Sequence, residues 1–536
     1  MKDKERSVVD QEKQQIPTTS SEYSRTQRSG RQEKVALSME EAPKTKIKVP
    51  SQHKFYIALM SLLVSVISIA LPIFSGLAST QQSENLYIGF MMSQGTYPYS
   101  EIYASSGIIY YALLALSYLG GTLLLTIPIY FLAHYISGIY IYKLMSYLTL
   151  RDSATIALTS FFYVLLATFG FGGLYASQLA LPFILISTWF LLRYFKQEIP
   201  DETFIIYGLT GAIAILIEPR SLIFWLLSVI FIGIYNLRNK HMARGFYQLL
   251  CVLFGNLFVF YIAGYFVLNM QSVSAYLAQT GWNNFIQPAL SDGNWLITIA
   301  LQVLIVFSSG LIFGGLKSLI SLKSFKEDKW FCYIILCSAV FYLIYAIFSR
   351  TYDLSQLILF LPFGLVLSAP YLNEAYEVVN KKQRRSHRVT KTSRSFFTFI
   401  FKSFYYLPVV MVIYAMAAPV VSYASSYRMS TERDLIATYL KKEVGKNDTI
   451  YVWDSQATVY IKSQTSSSSL YPLPFLAARQ SSYQKELEDN LLSDKATYVI
   501  QNKKMALSDA VKQNLEKNYE KISLDQVEGF VVYKLK

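Results

Sequence analysis

The sequence predicts an α-helical polytopic membrane protein of about eleven transmembrane helices, followed by a small extracytoplasmic α/β domain. Three observations predict it. Apolar residues make up 53% of the 536 and charged residues only 16%, and the apolar ones come in blocks of about twenty, the length that crosses the hydrocarbon of a bilayer. Many of the 42 Tyr and 35 Phe sit at block ends, where amphipathic rings settle at the membrane–water interface. Lys and Arg crowd into alternate connecting segments and are absent from the outer segments 77–121, 172–175 and 269–293, the sorting that orients membrane proteins.

Residues 1–54 are polar, hold twelve Lys/Arg and read as a disordered basic cytoplasmic tail. No apolar stretch begins before Phe55 and no small-residue cleavage site follows it, so the first span, 55–76, is expected to be an uncleaved helix entering from the cytoplasm. Further spans are expected near 122–147, 153–171, 176–195, 203–217, 221–237, 246–268, 295–316, 330–348, 355–372 and 396–424, which makes 55–427 the membrane domain. With the N-terminus inside, the inner loops carry Arg151, then Arg193 and Lys196, then Arg238, Lys240 and Arg244. Lys317, Lys323, Lys326 and Lys329 come next, and finally eight Lys/Arg in 373–402. The outer segments 77–121, 172–175 and 269–293 contain no Lys or Arg at all. The positive-inside rule and contact with anionic lipid therefore account for the net charge of +14 with no nucleic-acid partner. An odd number of spans puts the C-terminus outside.

Past Tyr427 the composition becomes that of an ordinary soluble domain, expected over 428–536. A helix is expected over 431–444, with Thr431 as N-cap and Leu435, Ile436, Tyr439 and Leu440 on one face. Strands are expected at Ile450–Trp453, Ala496–Ile500 and Phe530–Leu535, with helices over 482–492 and 506–517 between them. Cys251, Cys332 and Cys337 fall in apolar spans, without the placement of an external disulfide or the spacing of a metal site. His53, His134, His241 and His387 fall in cytoplasmic segments or within a span. A zinc site on the outer face is not expected.

The first outer loop carries the most chemistry. Ser83 is expected to cap a short interfacial helix that runs to Gln94 and stops at Gly95, with Leu86, Tyr87, Phe90 and Met91 on its apolar side. Gly95-Thr-Tyr-Pro-Tyr-Ser-Glu101 follows, then Ser105-Ser106-Gly107 and an apolar segment, Ile108–Tyr118, too short to span. Between apolar blocks further on stand Glu218-Pro219-Arg220, an ionisable pair that is costly there unless paired or wetted. Arg350 and Asp353 are the charges of a later short outer loop.

The string GTYPYSEIYASSGIIYYALLALSY (95–118) resembles the first extracytoplasmic loop of the GT-C superfamily of membrane glycosyltransferases, in which a Gly-x-x-Pro-Tyr-x-Asp/Glu string precedes a Tyr-rich juxtamembrane helix. GLTGAIAILIEPRSLIFWLL (208–227) is similar to a segment in which two helices meet at a Lys-Pro dipeptide; here Glu218 replaces the base and Arg220 supplies one two residues later. SRTYDLSQLILFLPFGLVL (349–367) is similar to the late segment with an outer Arg or His. IATYLKKEVGKNDTIYVWDSQATVYIKSQT (436–465) resembles the opening of the outer domain in bacterial members, of the protein O-mannosyltransferase and aminoarabinose transferase type. The resemblance implies an inverting glycosyltransferase using a polyprenyl-phosphate-sugar donor held in the bilayer. Glu101 would be the general base on the acceptor hydroxyl, a proton transfer that a fixed carboxylate within hydrogen-bond reach can perform. Arg220 and Arg350 would grip the donor phosphate with their planar guanidinium groups. Tyr97, Tyr99 and Tyr103 would meet acceptor or sugar, with Glu84, Glu218 and Asp353 as supporting acids. The second outer loop, Gly172-Gly-Leu-Tyr-Ala-Ser-Gln178, lacks the further acid of many members. A divalent metal would then need Glu84 or Glu218 beside Glu101, and metal-independent chemistry, with no cofactor, is the expectation. An envelope glycan, teichoic acid or glycolipid acceptor at a bacterial plasma membrane fits by analogy. The rival reading is a lipid or glycan flippase, which would line a path with charges at mid-membrane; the polar weight here sits in the first loop and the outer domain instead.

Overall fold

The computed structural model describes residues 47–75, 79–120, 123–282, 295–308, 311–312, 329–348, 354–370, 406–445, 448–478 and 480–536. Helix α1 (Ser51–Ile73) comes first. Ahead of Pro72 it widens into a π turn at Val66–Ala70, which makes room for a ring that would otherwise clash with the carbonyl one turn earlier. Two short helices follow, α2 (Thr80–Ser93) and α3 (Ile108–Leu119). Then come α4 (Leu123–Thr149), α5 (Asp152–Phe169), α6 (Ala176–Phe195), α7 (Phe204–Ile217), α8 (Pro219–Arg238) and α9 (Met242–Asn269). The short α10 (Val273–Leu277), α11 (Trp295–Ser308), α12 (Lys329–Ile347) and α13 (Leu361–Pro370) lead to a long α14 (Tyr406–Glu443).

Among the described residues, α1, α4, α5, α6, α8, α9 and α12 are each long and apolar enough to cross a membrane. Helix α7 has only 14 residues, about 21 Å at the helical rise and short of the hydrocarbon thickness. It ends at the Glu218 break, and α8 begins at once. Helices α7 and α9 meet backbone to backbone through reciprocal glycines. A Cβ on Gly208 would stand 2.3 Å from the Val252 carbonyl oxygen, and one on Gly255 would stand 2.2 Å from that of Ile205. Such small-residue contacts are how membrane helices gain close packing without a hydrophobic driving force between them.

Beyond α14 lies a five-stranded sheet of β1 (Thr449–Trp453), β2 (Ser466–Ser467), β3 (Tyr498–Asn502), β4 (Tyr519–Ile522) and β5 (Phe530–Leu535). Its order is β2-β1-β3-β5-β4. Strand β1 runs parallel to β2 and β3, with Ile450 opposite Tyr498, while β5 is antiparallel to β3 and β4, with Ile500 opposite Val532. Helices α15 (Thr458–Ser463), α16 (Pro474–Ala477), α17 (Ser481–Leu492) and α18 (Asp509–Asn518) connect the strands. Ile436 and Leu440 of α14 are buried with Ile450, Val452, Ile500 and Val532.

Three local expectations are corrected. Ser83 is not the cap of α2: Ser79 is, its side chain accepting from the Gln82 amide at 3.0 Å. The burial of α2 is not confined to its apolar side either, since Gln82 to Phe90 are all buried, with α3 and the outer domain packed on it. Its Ser83 hydroxyl accepts from the Ala457 amide (3.1 Å), its Tyr87 hydroxyl accepts from the Ser467 amide (2.8 Å), and the Tyr87 ring stacks on Tyr460 at 4.8 Å. Thr431 caps nothing: α14 runs through it unbroken, and its hydroxyl donates back to the Tyr427 carbonyl at 3.0 Å.

Candidate active site

The loop from Gly95 to Gly107 folds on itself. Gly95, at φ +94°, stops α2 in a conformation that L side chains rarely adopt. The Glu101 amide donates to the Tyr97 carbonyl (3.1 Å), and the Tyr99 amide donates to that of Ile102 (2.8 Å). In return Glu101 Oε2 accepts from the Tyr97 amide at 2.7 Å. The carboxylate thus closes its own turn while staying exposed. Tyr97 is also open, at 48% exposure.

Tyr99 stands at φ +72°, a strained position for a bulky residue that its surroundings must hold. They do so from three sides. Its hydroxyl donates to the Ser106 carbonyl (2.8 Å), its ring meets Tyr276 edge-on at 4.9 Å, and its carbonyl accepts from Gln279 Nε2 at 2.9 Å. Gln279 Oε1 in turn accepts from the Ala104 amide at 2.9 Å, so one amide side chain straddles both limbs of the loop. Burial, reinforced by Tyr276 and Tyr111, holds the Tyr99 hydroxyl well above the usual tyrosine range, which keeps it a donor.

The loop's far limb is tied at both ends. The Tyr103 amide donates to the Leu470 carbonyl (2.9 Å), and its buried ring lies 5.7 Å from Tyr471 and 6.1 Å from Tyr483 of the outer domain. The Gly107 amide donates to the Ile217 carbonyl at 3.0 Å, and a Cβ there would lie 1.9 Å from the Leu216 carbonyl oxygen. Only glycine lets the loop press against the end of α7. The next residue of that chain is Glu218, so the Glu101 loop and the charged helix break adjoin.

At the break, Glu218 accepts from Arg220 Nε and Nη2, both at 2.7 Å. The pair is largely buried, with 14% of the Arg220 side chain and 4% of the Glu218 side chain exposed. Arg220 also donates to Gln356, its guanidinium lies 5.5 Å from the Tyr345 ring centre, and the Tyr342 hydroxyl donates to its carbonyl at 3.0 Å. This is a charge compensated and fixed from α12 and from the 354–357 turn, as burial requires.

The structure therefore brings together Tyr97, Tyr99, Glu101 and Tyr103 in one loop, with Glu218 and Arg220 on the turn next to it. Tyr99 and Tyr103 are consumed in packing, while Tyr97 and Glu101 face outward. Glu84 is buried on α2. Arg350 and Asp353 lie outside the described residues. Among the described residues, no three His, Cys, Asp or Glu side chains gather where they could hold a metal ion. Sequence reasoning missed Gln279, Gln356 and Tyr276. The only signal for Gln279 and Tyr276 was their place in the lysine-free segment 269–293.

Two structures of ArnT from Cupriavidus metallidurans superpose on this chain. The one bound to undecaprenyl phosphate has 12% sequence identity and a TM-score of 0.50, covering 90% of this chain and 97% of that one. The apo form has 11% identity and a TM-score of 0.52, covering 90% and 96%. The fold is of the GT-C type. Comparison with curated proteins finds no match. Two family profiles do match: competence-induced protein Ccs4 N-terminal domain over residues 42–427 and Ccs4 C-terminal domain over residues 430–536. Between them they run almost without a break from residue 42 to the last, and the chain belongs to the competence-induced protein Ccs4 family.

Proposed function

We propose that this chain is a membrane glycosyltransferase that moves a sugar from a polyprenyl-phosphate donor to an acceptor hydroxyl on the outer face of a bacterial plasma membrane. The observation that carries the reading is the exposed Glu101, on a loop clamped between the outer domain and the Glu218–Arg220 turn. The ArnT structure with undecaprenyl phosphate supplies the donor class by likeness of fold. In this reading Glu101 takes the proton of the acceptor hydroxyl as its oxygen bonds to the anomeric carbon, the opposite C–O bond breaks, and the polyprenyl phosphate leaves with the electron pair, inverting the centre. Tyr97, open beside Glu101, meets the acceptor, while Tyr99 and Tyr103 act as posts for the loop. Arg220 meets the leaving phosphate with the N–H groups that Glu218 and Gln356 leave over, and Glu218 holds it in place. Arg350 is a second phosphate ligand and Asp353 its neighbouring acid, with Glu84 a supporting acid behind the loop.

The same reading takes the chain as eleven crossings over 55–427, with 1–54 in the cytoplasm and 428–536 outside, and the acceptor as an envelope glycan, teichoic acid or glycolipid. The test compares a strain lacking the protein with strains carrying the native chain or Glu101→Gln. Lipid-linked sugar should accumulate, and one envelope glycan should lose a residue, in both the deletion and the Gln strain while the variant stays abundant in the membrane. Full restoration by the Gln variant would discard the base assignment. Lipid translocation in vesicles without any acceptor would favour a flippase instead.

A further inference from the structure

At the other end of α7 from the Glu101 loop, about 20 Å away along the helix, a cavity of about 330 Å³ opens between α7, α8 and α9. Phe204, Gly233, Asn236, Met242, Phe246 and Val252 are among its lining residues. Its walls are apolar but for one built polar network. Arg244 makes a two-pronged ion pair with Asp201, Gln248 donates to Asp201 at 2.6 Å, and Asn236 Nδ2 donates to Gln248 Oε1 at 2.8 Å and to the Tyr194 hydroxyl at 3.3 Å. The chain of donors ends at Asn236 Oδ1, which is buried and accepts no hydrogen bond among the described residues. A buried acceptor left open costs free energy, so the position favours a ligand that donates there. Arg238 and Lys240, both exposed, follow Asn236 in the chain; the Arg238 guanidinium lies 5.8 Å from the Trp330 ring centre of α12. Neither makes an ion pair among the described residues.

The geometry points to a binding site for one anionic glycerophospholipid of the inner leaflet, distinct from the donor site. An acyl chain fills the apolar cavity, a head-group hydroxyl donates to Asn236 Oδ1, and the phosphate lies against Arg238 and Lys240. Each part answers a separate observation: the apolar walls, the open acceptor and the two exposed basic residues just beyond Asn236. Basic recesses between membrane helices on the cytoplasmic side are where such head groups are held.

Gly233 supplies the test. A Cβ there meets nothing within 4 Å, so Gly233→Leu grows into the cavity without clashing with protein. The full chain, purified in detergent and stripped of lipid, is offered phosphatidylglycerol or phosphatidylcholine and examined by native mass spectrometry. One phosphatidylglycerol should stay bound per chain and phosphatidylcholine at least about tenfold less. Gly233→Leu should lose the bound lipid, and Arg238→Ala and Lys240→Ala should each weaken it about fivefold. Equal retention of the two lipids by the native chain, or undiminished phosphatidylglycerol on Gly233→Leu, would overturn the site. The lipid comparison and the alanine variants decide the matter even if the leucine variant fails to fold.

Discussion

Gln279 shows how much one side chain can position. It satisfies a buried carbonyl and a buried amide on opposite limbs of the Glu101 loop, and no neutral apolar residue can replace both bonds. Gln279→Ala should therefore leave two backbone groups unsatisfied, at about 1–3 kcal/mol each. Hydrogen exchange should report it directly, through faster exchange of the Ala104 amide. On the proposed roles of Glu101 and Arg220, activity should fall with it while the donor KM changes little, because the loop carrying Glu101 loosens and the Arg220 turn does not. Unchanged exchange at Ala104 would show that the loop holds itself. In the outer domain, Arg433 plays a different part. Its guanidinium is buried against Asp454, at 2.6 and 3.1 Å, and Asn502 donates to the same carboxylate at 2.7 Å. Removing one partner strands the other charge, so Asp454→Ala should destabilise the domain by about 3–5 kcal/mol, measured as a fall in its unfolding midpoint.

At the scale of elements, Gly107 is where loop and helix α7 meet. Gly107→Ala puts a methyl inside the van der Waals radius of the Leu216 carbonyl, and backbone cannot step aside as a flexible side chain can. The cost should be about 1–3 kcal/mol of overpacking, and the displaced loop should lower activity further than the drop in melting temperature alone accounts for. A variant that melts and turns over normally would mean that the loop slides freely along α7. The glycine was visible in the sequence; the reason for it was not. Period and length made the spans readable, because a block such as Met242–Asn269 is apolar whatever surrounds it. Strands β1 and β5 were readable too, as short apolar runs. Strand β4 was not: Tyr519-Glu-Lys-Ile is a polar edge strand, which carries too little apolar pattern to announce itself. The burial of α2 was hidden for another reason. Its cover comes from residues such as Ser467, 380 positions from Tyr87, and no local pattern records so distant a partner. The same distance hid Gln279 from Ala104, 175 positions apart.

Across the whole molecule, two of the attachments among the described residues steady the outer domain over the loop. One is α14, whose 38 residues form a single helix of about 57 Å, longer than the hydrocarbon it would cross and continuous with the domain core. Glu432 accepts from the Gly529 amide at 2.6 Å and from Arg428 at 3.3 Å, and Arg433 holds Asp454, so the helix end is locked to the sheet from several sides. The other is α2, whose Ser83 and Tyr87 hydroxyls accept the Ala457 and Ser467 amides. A rigid helix alone fixes one point of a body and leaves it free to tilt; the second contact removes that freedom and keeps Leu470 and Tyr471 against Tyr103. The pair Ser83→Ala and Tyr87→Phe removes the two acceptors, together with the bond from the Ser83 hydroxyl to the Thr80 carbonyl within α2, and keeps the stacked ring. It should therefore free the Ala457 and Ser467 amides to exchange with solvent while β3 amides stay protected. If the loop depends on the domain above it, the Tyr103 amide should lose protection in the same variant and activity should fall. Loss of protection at Ala457 and Ser467 with Tyr103 unaffected would separate the two, leaving Gln279 and Gly107 as sufficient supports for the loop.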